Sequence, residues 1–146
     1  IMNMMSKSDK NPKGFPGLQT GGNVGSFSWI FSWAILGCSP VSLIGLNMGV
    51  DVDTPLEQTQ HYSQVLNHFD GDKTKVHEKY RNIFNPDIET ETILDPVFDF
   101  YREALLDLVK RSPQWVKTIN STEGGSLFGE RIQNLKFLEF LESNKK

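Results

Sequence analysis

The chain has 146 residues, 38% of them hydrophobic, with a net charge of −3 and a pI of about 5.6. That length sets a single domain as the expectation, large enough to bury roughly two-thirds of its unfolded surface. Basic residues are spread along the chain instead of forming a stripe, which excludes the usual nucleic-acid footprint. The apolar run from Val24 to Cys38 is broken by serines and is shorter than the ~20 residues a membrane-spanning helix needs, so no membrane partner is expected.

Residues 1–19 read as an extended N-terminal lead and residues 20–146 as one α/β domain. Ile1 to Met5 suits a strand remnant or a disordered start, and lacks the positive-then-apolar order of a signal peptide. Residues 6–19 are rich in Lys, Ser, Asn, Pro and Gly, as exposed extended segments are. Cys38 is the single cysteine, so no intrachain disulfide can form. A reducing, cytoplasmic setting is the default, with Cys38 as buried apolar filler. Ten Phe, three Trp and three Tyr supply much of the apolar content, and each ring that is buried contributes a large area.

Thr20-Gly21-Gly22-Asn23-Val24-Gly25-Ser26 is the stretch around which the chain is organised. Few β-carbons let its backbone N–H groups approach a ligand. A helix is expected to follow, from Asn23 to Leu36, with Gly37 closing it. Its first N–H groups are unpaired and carry partial positive charge, which suits phosphate or carboxylate. Alternation of Phe27, Trp29, Phe31 and Trp33 also fits a strand. Length and the bounding glycines favour a helix, buried on more than one face.

Pro40 introduces a strand, Val41 to Leu46, whose unbroken apolar character suits a parallel sheet covered on both sides. The polar loop Asn47 to Asp53 comes next. Thr54-Pro55-Leu56-Glu57 carries the signature of a capping box, and a helix is expected to run to Leu66 or Asn67. Beyond the turn Asp70-Gly71-Asp72, the spacing of Val76, Tyr80, Ile83 and Phe84 predicts a further helix ending before Pro86. Ile88 to Leu94 suits a short edge strand or an extended loop. Asp95-Pro96 repeats the cap-then-proline signal ahead of the clearest amphipathic stripe in the chain: Val97, Phe98, Tyr101, Leu105, Leu108 and Val109. That helix should end near Arg111, and a second core strand should cover Trp115 to Ile119. It opens into the Gly-rich loop Asn120 to Ser126, and a last helix spans Leu135 to Leu141.

Alternating helices and strands indicate α/β architecture with a small, mostly parallel sheet flanked by helices. Two clear strands are few for such a sheet, so an incomplete doubly wound domain is expected, with a second copy as one way to cover an open edge. In open sheets of this kind, ligands bind beyond the carboxyl ends of the strands. The loops Thr20–Ser26, Asn47–Asp53 and Asn120–Ser126 would then share one rim. Gly21-Gly22-Asn23-Val24-Gly25 has neither the dinucleotide nor the P-loop glycine spacing. Asp51 and Asp53 are the candidate magnesium ligands, acting through phosphate. Glu123 is placed to accept a hydroxyl proton or to bind a ribose. The three histidines have no metal-ligand spacing, and His61, nearest in sequence to the Asp51–Thr54 loop, is the one worth testing.

Together these segments resemble the MptE-like family, which includes the archaeal 6-hydroxymethylpterin diphosphokinases and the flagellar motility accessory factors. The likeness rests on Thr20 to Ser26, on Gly37-Cys38-Ser39-Pro40-Val41 leading to Ile44-Gly45-Leu46-Asn47, and on Asn120-Ser121-Thr122-Glu123-Gly124-Gly125. It covers Gly17 to Met48 and Val116 to Phe128, and not the region between. The resemblance implies a Rossmann-like fold and transfer from a nucleotide or nucleotide-sugar ligand, either diphosphate from ATP to a pterin or a nonulosonic sugar from a CMP donor. It implies ligand contacts from Gly21, Gly22, Asn23, Gly25, Ser26, Asn120 and Thr122, with Glu123 and Asn47 at catalytic positions. Asn47 stands where the family carries aspartate, which bears on any metal or base role there. The family's upstream strands have no counterpart in this chain. A non-catalytic module that forms a homodimer through aromatic surface is the competing expectation.

Overall fold

The computed structural model describes residues 19–129 and 131–145. The expected strand remnant at Ile1 to Met5, and all but the last residue of the extended lead, lie outside them.

Helix α1, Val24–Ala34, opens on Asn23, whose side chain accepts a hydrogen bond from the Ser26 amide. Strand β1 is Val41–Leu43, and β2 is the short pair Val50–Asp51. A single 3-10 turn, Leu56–Gln58, precedes helix α2, Tyr62–His68, and helix α3, Lys73–His77. Strands β3, Arg81–Asn85, and β4, Thr90–Leu94, are followed by the long helix α4, Pro96–Arg111. Strands β5, Thr118–Asn120, and β6, Ile132–Asn134, lead to helix α5, Phe137–Ser143.

Two three-stranded sheets result. One is parallel, in the order β1-β5-β6, with Val41 opposite Thr118 and Thr118 opposite Ile132. The other is antiparallel, in the order β2-β4-β3. The chain is therefore mixed α/β with a small parallel sheet flanked by helices. The expectation of a mostly parallel arrangement holds for only one of the two sheets.

The main core joins one face of α1 to α4 and the parallel sheet, through Trp29, Ile30, Val41, Leu43, Leu105, Leu108, Val109 and Ile132. Trp29 is 1% exposed, and its indole N–H donates to Thr118 Oγ1 at 3.1 Å, tying α1 to the central strand β5. A satellite cluster of Tyr62, Val65 and Val76 holds α2 against α3.

Several expectations are corrected. Helix α1 buries one face only: Phe31, Ile35 and Leu36 are exposed. Cys38 is exposed, because it lies in the turn beyond Gly37, off the end of α1. The Thr54 capping box does not form. Thr59 adopts extended backbone and its hydroxyl bonds Leu56 O and Tyr80 Oη, each at 2.7 Å, so the segment breaks into a 3-10 turn and the separate helix α2.

The largest correction falls on residues 78–94. Ile83 and Phe84 belong to a strand, because Arg81–Asn85 pairs residue for residue with Thr90–Leu94 across a turn at 86–89. Asn85 Oδ1 accepts from the Asp87 amide at 3.0 Å and fixes that turn, a local bond that asparagine offers readily. Strand β4 is central, not an edge, and buries Thr92, Ile93 and Leu94.

Helix α4 matches its expected bounds. Asp95 Oδ1 accepts from the amides of Val97 and Phe98, both at 2.8 Å, and Pro96 occupies the first turn. At the other end Arg131 donates to the carbonyls of Val109, Ser112 and Pro113 at 2.9, 2.7 and 3.0 Å. These carbonyls lie in the last turn of α4 and just beyond it, where the helix's own ladder has run out. Arg131→Ala is expected to cost about 2–3 kcal/mol, as loss of charged hydrogen bonds to partly buried carbonyls does. Arg131→Lys should recover only a minor part, since an ammonium lacks the planar fork. Urea denaturation checks both, and full recovery by lysine would contradict this role.

Candidate functional site

At the N-terminus of α1 the backbone turns through Gly22, at a φ of 85°. A Cβ there would also lie 3.1 Å from the Tyr101 ring, so both conformation and space call for glycine. Asn23 then holds the helix start from both ends of its amide. Its oxygen accepts from the Ser26 amide and its nitrogen donates to Ser26 Oγ, each at 2.9 Å. Ser26 is fully buried, so its hydroxyl organises the turn and is not presented to solvent. Gly21 is buried against the same serine, where a Cβ would approach Ser26 Oγ to 2.7 Å. Gly25 gives room to Leu46 of the facing loop, whose Cδ1 would lie 2.5 Å from a Cβ. The amides of Val24 and Gly25 make no hydrogen bond among the described residues and face the helix mouth, where anions are favoured.

A cleft of about 490 Å³ opens at this point. Gly22, Asn23 and Val24 line one side and Gly45 to Gly49 another, with Gln60, His61, Phe98 and Tyr101 completing it. Two of the three expected loops thus meet. Asn47 is exposed in the cleft, and its side chain has no partner among the described residues.

The third loop supports this cleft from behind. Thr122 Oγ1 accepts from the Leu46 amide at 3.2 Å. The Ser126 amide donates to Asn47 O at 2.9 Å, and its buried hydroxyl to Met48 O at 2.7 Å. Asn120 is also buried and fully used: its amide nitrogen donates to Leu127 O and Asn134 Oδ1, and its oxygen accepts from Thr122 N. Glu123 lies elsewhere. It lines a separate cavity of about 390 Å³ with Asp87, Asn134, Lys136 and Glu139, and its carboxylate accepts from the first amide of α5, Phe137 N, at 3.3 Å. Asn23 and Glu123 therefore do not share a cavity.

Asp51 and Asp53 are exposed, on and just after β2. Among the described residues no group of three or more His, Cys, Asp or Glu side chains could hold a metal ion. Two exposed carboxylates without a third donor suit only a magnesium ion that arrives on ligand phosphates.

One pair was not foreseen. His61 Nδ1 lies 2.8 Å from Asp95 Oδ2, and the ring packs edge-on against Phe98 with centroids 4.8 Å apart. Asp95, read from the sequence only as a helix cap, is 1% exposed and uses its other oxygen for that cap. Thirty-four positions separate the two residues, and no local spacing connects them. The break before α2 is what brings His61 to the cleft. Further along α4, Arg102 is buried under Phe128 and donates to Ser126 O at 2.8 Å. Its burial lowers its pKa from the usual arginine value.

No protein-family model, no curated protein and no solved structure matches this chain. Among the described residues no helix is long and apolar enough to cross a membrane.

Proposed function

We propose that the chain is a nucleotide-binding domain of transferase type, with the ligand's phosphate seated at the mouth of α1. One observation carries this reading: the Gly22–Val24 turn, with two helix amides that have no partner among the described residues, lines the same cleft as Asn47 and His61. The parallel sheet is then the remnant of a Rossmann-like, doubly wound arrangement, whose ligands sit beyond the strands' carboxyl ends. In this reading Asn47 contacts the donor or acceptor, and any magnesium travels with the phosphates toward Asp51 and Asp53. Glu123, Asn120 and Thr122 shape the supporting loop. The MptE-like resemblance supplies the two donor classes to try, ATP and a CMP-linked sugar.

Asn23→Asp is the sharpest test. Aspartate still accepts from the Ser26 amide but cannot donate to Ser26 Oγ, so stability should fall by no more than about 1 kcal/mol. Its charge should repel a phosphate at the same place, and calorimetric affinity for ATP–magnesium or for CMP should fall at least tenfold. Unchanged affinity would remove the α1 mouth from the site.

A second reading, a non-catalytic assembly module, has its own support. Val24, Phe27, Phe31 and Ile35 form an apolar stripe along α1, and Val24, Phe31 and Ile35 are 79%, 38% and 55% exposed. Sedimentation over a range of concentrations, with and without nucleotide, separates the two readings.

A further inference from the structure

Resting on the nucleotide reading above, we propose that His61 is the proton-transfer residue of the cleft, with Asp95 as its positioning residue. The carboxylate of Asp95 is fixed from two directions. One oxygen takes the Val97 and Phe98 amides at the start of α4, and the other takes His61 Nδ1 at 2.8 Å. A buried carboxylate beside Nδ1 holds the proton on that nitrogen and leaves Nε2 as the basic atom. Phe98 limits rotation of the ring. Nε2 makes no hydrogen bond among the described residues, and His61 lines the cleft together with Asn23 and Asn47.

A cap alone does not require this arrangement. Asp72 caps α3 through the amides of Thr74 and Lys75 with no histidine behind it, and there the carboxylate stands in solvent. Nor does the ring simply pair on the surface, as His77 does with Glu57 at 3.8 Å, with both side chains about half exposed. His61 is 12% exposed, with one nitrogen committed inward and the other available.

In the step so defined, the hydroxyl oxygen of an acceptor bonds to the electrophilic centre of the nucleotide donor. That centre is a phosphorus of a nucleoside triphosphate or the anomeric carbon of a CMP-linked sugar. The hydroxyl proton passes to Nε2. The bond from that centre to the bridging phosphate oxygen breaks, and its electron pair leaves with the nucleoside monophosphate, whose charge lies at the amides of Val24 and Gly25. General-base help of this kind is worth roughly 10²–10⁴-fold.

The test uses the full chain, labelled with ¹⁵N, and two probes: ATP–magnesium and CMP-sialic acid, with water as acceptor. Heat on mixing identifies which donor binds. On saturation the His61 Nε2 resonance should shift while Nδ1 stays protonated, and His68 and His77 should not move. His61→Asn should slow release of the monophosphate at least 100-fold with Kd within threefold of the wild type. Asp95→Asn retains a capping side chain and should slow release about tenfold while allowing the imidazole tautomers to mix, visible in the same ¹⁵N spectrum. Heat with an unmoved His61 resonance, release undiminished in His61→Asn, or a bound donor that yields no monophosphate overturns the role of His61 and leaves nucleotide binding standing. No heat with either donor overturns nucleotide binding itself, and His61's role with it.

Discussion

Replacing Gly125 with alanine is expected to destabilise the chain by about 3 kcal/mol or more, the larger effect of any single methyl group added to its loops. Gly125 has a φ of 79°, a conformation that costs an L-residue roughly 1–2 kcal/mol. The new Cβ would also lie 2.3 Å from Asn47 O and 2.6 Å from Asn47 Cα. Those are backbone atoms, which cannot swing aside as a side-chain tip can, and forced overlap adds roughly 1–3 kcal/mol. Relief would require the loop after β1 to part from the loop after β5. The Ser126 hydrogen bonds to Asn47 and Met48 would stretch with it. Gly124→Ala is the control, since a Cβ there meets nothing within 4 Å. It should change stability by no more than about 0.5 kcal/mol, as surface substitutions do. The denaturant midpoint of the two alanine variants measures the difference. Equal midpoints would mean that the two loops are not locked together. Because this contact positions the backbone of Asn47, which lines the cleft, Gly125→Ala should also weaken any ligand that Asn47 touches.

The parts of this fold that the sequence announces are those fixed by local chemistry. Asp95-Pro96 followed by Tyr101, Leu105, Leu108 and Val109 specifies α4 without help from elsewhere, and the observed helix runs from Pro96 to Arg111. Asn23 likewise marks the start of α1, while its end falls at Ala34, two residues short of the expected Leu36. The antiparallel sheet was hidden because Val76, Tyr80, Ile83 and Phe84 fall on helical spacing. What decides the matter is distant: Asn85 is fully buried and donates to Gly125 O at 3.3 Å, and β4 finds a second partner in β2. Pairing of that kind leaves only a weak mark on either strand alone.

The cleft was legible to a similar degree. Gly22 and Gly49 pointed to the two loops that line it. The polar residues of the third loop pointed to a ligand, yet they hold backbone instead. A side chain's hydrogen-bonding capacity does not reveal whether water, ligand or carbonyl will use it. His61 and Asp95 carry the reverse lesson. A carboxylate has two oxygens, and a capping motif accounts for one.

Trp29→Ala is expected to have the other large effect, a loss of about 3–5 kcal/mol, the usual cost of removing a buried aromatic ring. Trp29 is 1% exposed, and it is the one side chain of α1 that both packs in the core and hydrogen-bonds the central strand. Trp29→Phe keeps most of the ring volume but leaves Thr118 Oγ1 without its donor, and should cost about 1–2 kcal/mol. If the 3.1 Å bond is as strong as its geometry suggests, Thr118→Val should cost about 1 kcal/mol by itself. The double variant should then be less damaging than the sum by roughly 0.5–1 kcal/mol. Strict additivity would mean that the indole N–H contributes only packing. Trp29 lies about one and a half turns along α1 from Val24 in the cleft, so Trp29→Phe should leave nucleotide affinity unchanged under conditions where it remains folded. Trp29→Ala should abolish binding only as far as it unfolds the chain. Affinity lost from a fully folded Trp29→Phe protein would mean that the phosphate reads the tilt of α1 through this residue, and not merely the amides at its mouth.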